Sequence, residues 1–364
     1  MSTYDSGIVY WIWLSQIKGI GPVNGVELLH VFKTPQNIYK ATKSELVNIH
    51  GIGNATADMV YNSKSLEDAE NILNKCERLN IKVLTYEDCL YPIEVRNIKK
   101  APIILYYRGN LIEESMGVAI VGSRRCTEYG KKLTVDTARF LAQNNIPVIS
   151  GMAKGIEGYA HTACLKEDGY TIAILGCGLD ICYPKEHKEL MQKIVERGAI
   201  ISEYPPGIKP NANHFPKRNR LMSAWCKKLL VVEAGEKSGS LMTAAFAKEQ
   251  DRDVFAAPNS IYSIESIGTN KLIQEGAKIY LKPSQLLLNS MSRIRVSNKT
   301  QHVKQIDGDL TSLEKAILKR IGDNAMSLGE LLLDLQEDKS DILEIISIME
   351  LKGLIVNVGG FLKH

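Results

Sequence analysis

The feature that most constrains this chain is a regular alternation between residues 117 and 281. Short apolar runs recur at 118–121, 147–150, 171–175, 199–202, 229–233, 254–257 and 278–281. Between most of them lie segments of helical periodicity, at 130–143, 156–166, 186–197 and 241–250. Short, β-branched runs without polar alternation are what strands show when both faces of a sheet are covered. Interleaved with helices they form βαβ units. The expected fold class is therefore α/β, a doubly wound, Rossmann-like parallel sheet. A further run, Ala101-Pro102-Ile103-Ile104-Leu105-Tyr106-Tyr107, is expected to extend that sheet.

At 364 residues the chain exceeds one domain. Near its start Ile17-Lys18-Gly19-Ile20-Gly21 returns as Ile49-His50-Gly51-Ile52-Gly53, and each copy precedes an apolar helical stretch, at 23–32 and 55–61. Such pairs resemble the helix-hairpin-helix (SAM-like) module. Their glycines fit either phosphate contact at a helix start or a tight interhelical turn. Residues 286–309 are polar and aperiodic, as in a linker. Helical stretches at 313–321, 328–335 and 342–351 and a hairpin at 354–361 then resemble a winged helix, though one rich in acids. The expected division is an N-terminal helical hairpin domain at 1–72, an extended Rossmann-like domain at 73–285, a linker at 286–309 and a C-terminal winged-helix-like domain at 310–364.

Composition narrows the class without fixing it. Hydrophobic residues make up 45% and charged residues 24%, which suffices for a core, and the net charge of +4 is too small to prove a polyanionic partner. Seven scattered cysteines show no zinc spacing and suit a reducing compartment. No uncharged run nears the roughly 18 residues of a membrane span, and residues 1–15 do not read as a signal peptide. A cytoplasmic soluble protein without metal or cofactor is expected.

Ligands of open α/β sheets bind outside the carboxyl ends of the strands, and the unusual segments fall there. They are Gly122-Ser123-Arg124-Arg125, Gly151-Met152-Ala153-Lys154-Gly155, Gly176-Cys177-Gly178, Glu203-Tyr204-Pro205-Pro206-Gly207 and Ala234-Gly235-Glu236-Lys237-Ser238-Gly239-Ser240. Glycine-rich turns entering helices offer backbone N–H groups to anions. Several on one sheet edge, with Arg and Lys among them, imply a phosphate-binding rim. None matches a dinucleotide fingerprint or a P-loop, which disfavours NAD and ATP.

Between Glu203 and Glu233 there is no acidic residue, while Lys209, Lys217, Arg218, Arg220, Lys227 and Lys228 are present. Phe215 sits among them. Four prolines, Pro205, Pro206, Pro210 and Pro216, mark the segment as a loop. An aromatic ring beside closely spaced cations suits a single strand, with a base stacked on the ring and phosphates on the cations. Catalytic readings are weaker. Ser238 and Ser240 lack a His–Asp partnership, and Glu157 with His161 fits a helix-holding pair better than a base. Glu233 ends a buried strand and needs a partner, for which Arg218 or Arg220 is expected.

Taken in order, these segments are similar to the DNA-processing protein A family, also called Smf. Its pattern comprises G-S-R, S-G-x-A-x-G-I-D-x-x-A-H, G-x-G-x-D-x-x-Y-P, S-E-Y-P-P-G, F-P-x-R-N-R, E-A-x-x-x-S-G-S-L-x-T-A and G-T-N-x-L-I-x-x-G-A. The counterparts here are 122–124, 150–161, 176–184, 202–207, 215–220, 233–244 and 268–277. Glu157 stands where the family usually has Asp, and Asn259 where it usually has Gly. The resemblance implies a non-enzymatic protein of natural transformation that binds single-stranded DNA, forms a homodimer, displaces single-strand-binding protein and loads the RecA recombinase. By motif it implies DNA contact at Gly122, Ser123, Arg124, Lys154, Phe215, Lys217, Arg218 and Arg220, and phosphate contact at Lys237, Ser238, Gly239 and Ser240. Arg125 joins them on charge. The rival from another class is a nucleoside-monophosphate phosphoribohydrolase of the lonely-guy type, whose P-G-G-x-G-T-x-x-E motif is missing from 234–244.

Overall fold

The computed structural model describes residues 7–288 and, after them, 311–321, 326–327, 330–332, 342, 345–346, 349, 354–358 and 361–363. Two compact units are formed, Met1–Arg295 and Val296–His364.

The first unit opens with helices α1 (Ile8–Gln16), α2 (Pro22–Phe32), α3 (Pro35–Lys40), α4 (Lys43–Val47), α5 (Asn54–Asn62) and α6 (Glu67–Arg78). Both glycine repeats make the same turn. Ile20 N–H bonds Ile17 O at 3.1 Å, Ile52 N–H bonds Ile49 O at 3.0 Å, and the residues between, Gly19 and Gly51, take φ of 83° and 82°. Only glycine adopts that backbone without strain. Strands β1 (Lys82–Thr85) and β2 (Ile104–Gly109) follow, with the one-turn helix α7 (Ile93–Arg96) between them.

The expected alternation then appears as β3 (Gly117–Val121), α8 (Glu128–Gln143), β4 (Val148–Ser150), α9 (Ile156–Lys166), β5 (Thr171–Leu175), α10 (Lys188–Arg197) and β6 (Ala199–Ser202). It continues through α11 (His214–Ala224), β7 (Cys226–Val231), α12 (Gly239–Glu249), β8 (Asp253–Ala256), α13 (Ile267–Gln274) and β9 (Lys278–Ile279). One nine-stranded sheet results, in the order β1-β2-β6-β5-β4-β3-β7-β8-β9. From β6 to β9 every pairing is parallel, while β2 joins β6 and β1 joins β2 antiparallel. The chain winds from β3 to β6 on one side, then crosses back to lay β7 on the other flank of β3. Strand order therefore reverses between β3 and β7.

Every residue of β3 and β5 is buried, as strands covered on both faces require. The N-terminal helices cover part of one face: Trp11, Ile12, Leu28, Ile38 and Leu46 share a core with Tyr106, Leu175 and Ile194. After β8, the Asn270 side chain clips the backbone of Asn259, accepting its N–H at 3.3 Å and donating to its carbonyl at 3.0 Å, while the Asn259 side chain accepts the Ser260 N–H at 2.7 Å.

One element overturns expectation. The proline-marked loop ends at His214, and residues 214–224 are helix α11. Pro216 lies in its first turn, where a missing N–H costs no intrahelical bond.

The second unit contains α14 (Ser312–Ile321) and a small sheet in which β12 (Phe361–Lys363) pairs with both β10 (Met326–Ser327) and β11 (Val356–Val358). Most of the two further helices expected there, and most of the linker, lie outside the described residues.

Candidate nucleic-acid interface

Three strand ends and one helix build a cleft at the carboxyl edge of the sheet. Arg124 follows β3; Gly151, Ala153 and Lys154 follow β4; Gly176 and Cys177 follow β5; α11 supplies Phe215 and Arg218; and Tyr183, Pro184 and Pro210 complete the wall. The Arg124 and Arg218 guanidinium carbons each lie 5.8 Å from the centroid of the Phe215 ring. Tyr183, 43% exposed, brings its ring centroid within 5.9 Å of the same ring. Phe215 is thus a half-buried aromatic ring with two guanidinium groups and a second ring within 6 Å.

The geometry around that ring leaves little slack. His214 Nδ1 bonds the Gly176 carbonyl at 3.0 Å, and its ring stacks on Tyr204 with centroids 3.9 Å apart. A side chain at Gly151 would occupy the Arg218 guanidinium. The Ser123 hydroxyl donates to the Arg125 carbonyl at 2.9 Å and accepts the Arg125 N–H at 3.1 Å, so it shapes its own turn. Lys154 reaches the other lip, where its Nζ meets Glu186 at 2.5 Å with both side chains more than half exposed. The hydrogen bond from Lys154 holds the Glu186 carboxyl below its ordinary value.

The candidate residues are not all brought together. In a helix, positions 215 and 218 share one face, and 217 and 220 share another. Phe215 and Arg218 therefore turn to the cleft. Lys217 and Arg220 instead line a groove of about 950 Å³ together with Lys99, Lys100, Glu249 and Asp251. Lys237, Ser238, Gly239 and Ser240 start α12, where the Ser238 side chain caps the Ser240 N–H, and they line neither cavity. Arg125 is exposed and does not line the cleft. Lys227 and Lys228 lie near the opposite end of β7.

Two pairings expected from sequence are corrected, Glu233 with Arg218 or Arg220 and Glu157 with His161. Arg218 is not a solvated cation: it is 6% exposed and bonds Glu157 Oε2 at 3.1 Å. Arg220 likewise approaches Glu203, at 3.6 Å, in a largely buried pair. Burial keeps the Glu203 carboxyl above its ordinary value, against the pull of Arg220 and then Lys217. Glu233 contacts neither arginine. Its carboxylate accepts from the Thr127 N–H at 3.0 Å and from the Thr127 hydroxyl. Nor do Glu157 and His161 hold each other, since Glu157 takes the Ala153 N–H at 2.9 Å and His161 Nδ1 meets the Thr171 hydroxyl at 2.7 Å.

Tyr183 was the residue that reading the sequence missed, although it stands in the quoted G-x-G-x-D-x-x-Y-P segment; its pairing with Phe215 spans two separate motifs. Burial pushes the Cys177 thiol up to about 11 and the His161 imidazole down to about 3, so neither presents a ready nucleophile or base to the cleft. The cleft holds about 80 Å³. Pockets that enclose small molecules run to about 300–1,000 Å³.

A family model described as DNA recombination-mediator protein A matches residues 82–291, and one described as a SAM-like helix-hairpin-helix tandem matches 14–63. Protein Smf of Synechocystis sp. is 37% identical over 310 residues, covering 84% of this chain and 78% of that protein. The DNA processing protein DprA of Streptococcus pneumoniae is 45% identical over 194 residues, covering 53% of this chain and 68% of its own. An X-ray structure of DprA from that organism superposes with a TM-score of 0.68 at 34% identity, over 76% of this chain and 95% of that one. A DprA structure from Helicobacter pylori, described as giving insight into that protein's single-stranded DNA binding mode, superposes with a TM-score of 0.52 at 33% identity over 56% and 93%.

Proposed function

This chain belongs to the DNA recombination-mediator protein A family, and from that premise we propose that it binds single-stranded DNA and passes it to a recombinase without catalysing a reaction. The observation that carries the reading is the Phe215 ring with the Arg124 and Arg218 guanidinium groups each 5.8 Å from its centroid. A flexible strand can lay a base on such a ring while its phosphates meet Arg124 and Lys154. A duplex, with its bases stacked inside, cannot. Arg218, buried and paired with Glu157, stays beside the ring. Lys154 would exchange Glu186 for a phosphate, a swap between exposed partners that costs little. Gly122, Ser123 and Arg125 shape or flank the same cleft. Lys217 and Arg220 on the far flank of α11, and Lys237 to Ser240 at the start of α12, are further candidate contacts along a strand that extends beyond the cleft.

The same reading places the protein in natural transformation and homologous recombination, where it protects incoming strands, displaces single-strand-binding protein and loads RecA. No reaction is assigned to the cleft. The rival phosphoribohydrolase would need to enclose a nucleotide, and the 80 Å³ cleft is too small for one. We assign a homodimer to the apolar material between Ile261 and Ile279, where Ile261, Tyr262 and Ile264 are exposed by 78, 91 and 73%. Exposed apolar side chains of this kind fit a partner's matching surface.

The test is anisotropy of a labelled oligothymidine against a salt series. Phe215→Ala should lose about 1–3 kcal/mol, the worth of one stacked base, with the salt dependence kept. Arg124→Glu should weaken binding and flatten the salt dependence, since fewer counterions are released. Wild-type affinity in both variants would overturn the assignment of the site. Stimulation of RecA assembly on strands coated with single-strand-binding protein tests the loading step.

A further inference from the structure

Resting on that DNA-binding reading, we infer that Glu233 is a positioning residue: a built-in anion that fills the phosphate crevice of the fold and thereby fixes the loop carrying Arg124. Open parallel sheets bind their ligands where the strand order reverses. Here that crevice lies between β3 and β7, at the start of the sixteen-residue helix α8. It is occupied from within. Glu233 is fully buried, and its two carboxylate oxygens take the N–H and hydroxyl of Thr127, the N-cap of α8. The same Thr127 hydroxyl oxygen accepts the Gly130 N–H at 3.2 Å. A side chain at Gly130 would run into the Glu233 carboxylate, so the helix start is shaped around it. Among the described residues no cation pairs with Glu233. A buried carboxylate so placed depends on charge-assisted hydrogen bonds and on the positive end of the helix.

The consequence falls on residues 122–127. Their start is fixed by the β3–β7 pairing, continued by the Val232 N–H on the Val121 carbonyl at 3.0 Å. Their middle is fixed by the Ile156 N–H on the Ser123 carbonyl at 3.2 Å. Their end is fixed by Glu233 through Thr127. Arg124 and Arg125 project between the second anchor and the third. With the switch-point crevice filled by a carboxylate, a phosphate is repelled from it and meets the cations displaced toward β4 and β5. Glu233 so acts on DNA through Arg124 without touching it.

The experiment is a double-mutant cycle in the full-length protein, read by anisotropy of a labelled oligothymidine across a salt series. Arg124→Ala in the otherwise unchanged protein is expected to weaken binding by about tenfold, the loss of one charge-assisted contact. It should also lower the slope of log affinity against log salt by about 0.7, the value of one phosphate on a single strand. Glu233→Gln, which keeps the shape but puts an amide donor against the Thr127 donors, should produce the same two changes, and Arg124→Ala should then add less than about twofold. Thr127→Val removes the hydroxyl half of that link from the other side, leaving the backbone N–H of residue 127, and serves if Glu233→Gln does not fold; Thr127→Ser should restore binding and slope. An Arg124→Ala effect that persists in full on the Glu233→Gln or Thr127→Val background overturns the inference alone. Absence of binding by the unchanged protein overturns the DNA-binding reading and the inference with it; binding that Arg124→Ala leaves unchanged overturns the inference alone.

Discussion

Arg218 is where spacing and structure disagree most, and replacing it discriminates between them. As an exposed phosphate contact it could be exchanged for Met or Glu with little effect on stability. The structure says otherwise. Its side chain is 6% exposed, its partner Glu157 is 10% exposed, and the two meet at 3.1 Å. Removing one member of a buried pair strands the other charge and costs about 3–5 kcal/mol. Glu157 would still hold the Ala153 N–H at 2.9 Å, which places Arg218→Met near the lower figure, at about 3 kcal/mol. Arg218→Glu sets a second carboxylate against the first and should cost more, a large part of the roughly 5–15 kcal/mol that holds a domain folded.

The assay is urea unfolding followed by far-UV circular dichroism. With a denaturant dependence of about 3 kcal/mol per molar, Arg218→Met should lower the midpoint by about 1 M. Arg124→Met, on the surface, should leave it within about 0.2 M. The double variant Glu157→Gln with Arg218→Met removes both charges and should recover about half of the loss or more. A wild-type midpoint for Arg218→Met, or a double variant no better than the sum of its singles, would refute the buried-pair argument and return Arg218 to the surface.

Two further outcomes follow, one from burial and one from exposure. His161 is fully buried with its imidazole held near 3, chiefly by desolvation and then by His187 and Arg218, against 6.5 when exposed. The unfolded chain therefore binds a proton that the folded one refuses: stability is complete above pH 6.5 and falls as pH drops toward 3. Between pH 6.5 and 5 the loss should be roughly 1.5 kcal/mol, and His161→Gln should lack it when urea midpoints are compared across pH. An equal pH dependence in both proteins would refute the neutral histidine. Ile264→Lys places a charge in the apolar segment assigned to self-association, and should turn a dimer into a monomer in sedimentation at micromolar concentrations. A dimer that survives it places the interface elsewhere.

The central sheet was legible because its physics is local. Four or five consecutive apolar residues between helical stretches admit few arrangements, and each strand expected from 118 to 281 is present, the last shortened to Lys278–Ile279. Helix α11 was hidden because prolines mark both loops and first helical turns, and spacing alone does not separate the two. That single ambiguity reassigned the cations. Read as a loop, residues 214–220 present every side chain to one strand. Wound as a helix, they send Phe215 and Arg218 one way and Lys217 and Arg220 another.

The acids were harder still, because a partner 61 residues away, as Glu157 is from Arg218, or 106 away, as Glu233 is from Thr127, leaves no mark on local pattern. Sequence shows that a buried carboxylate needs a donor; only the winding of the sheet says which one arrives. Once the order reverses between β3 and β7, the turn after β3 is the neighbour of Glu233, while Arg218 falls beside the end of β4 and Arg220 beside Glu203 after β6. Glu157, at the start of the helix after β4, is then the acid within reach of Arg218. The longer side chain that replaces the family's usual Asp still spans to both Arg218 and the Ala153 N–H. Charge at that position is therefore tied to the guanidinium beside Phe215, and a substitution that kept the ring but discharged that position would loosen Arg218 before it altered any surface contact.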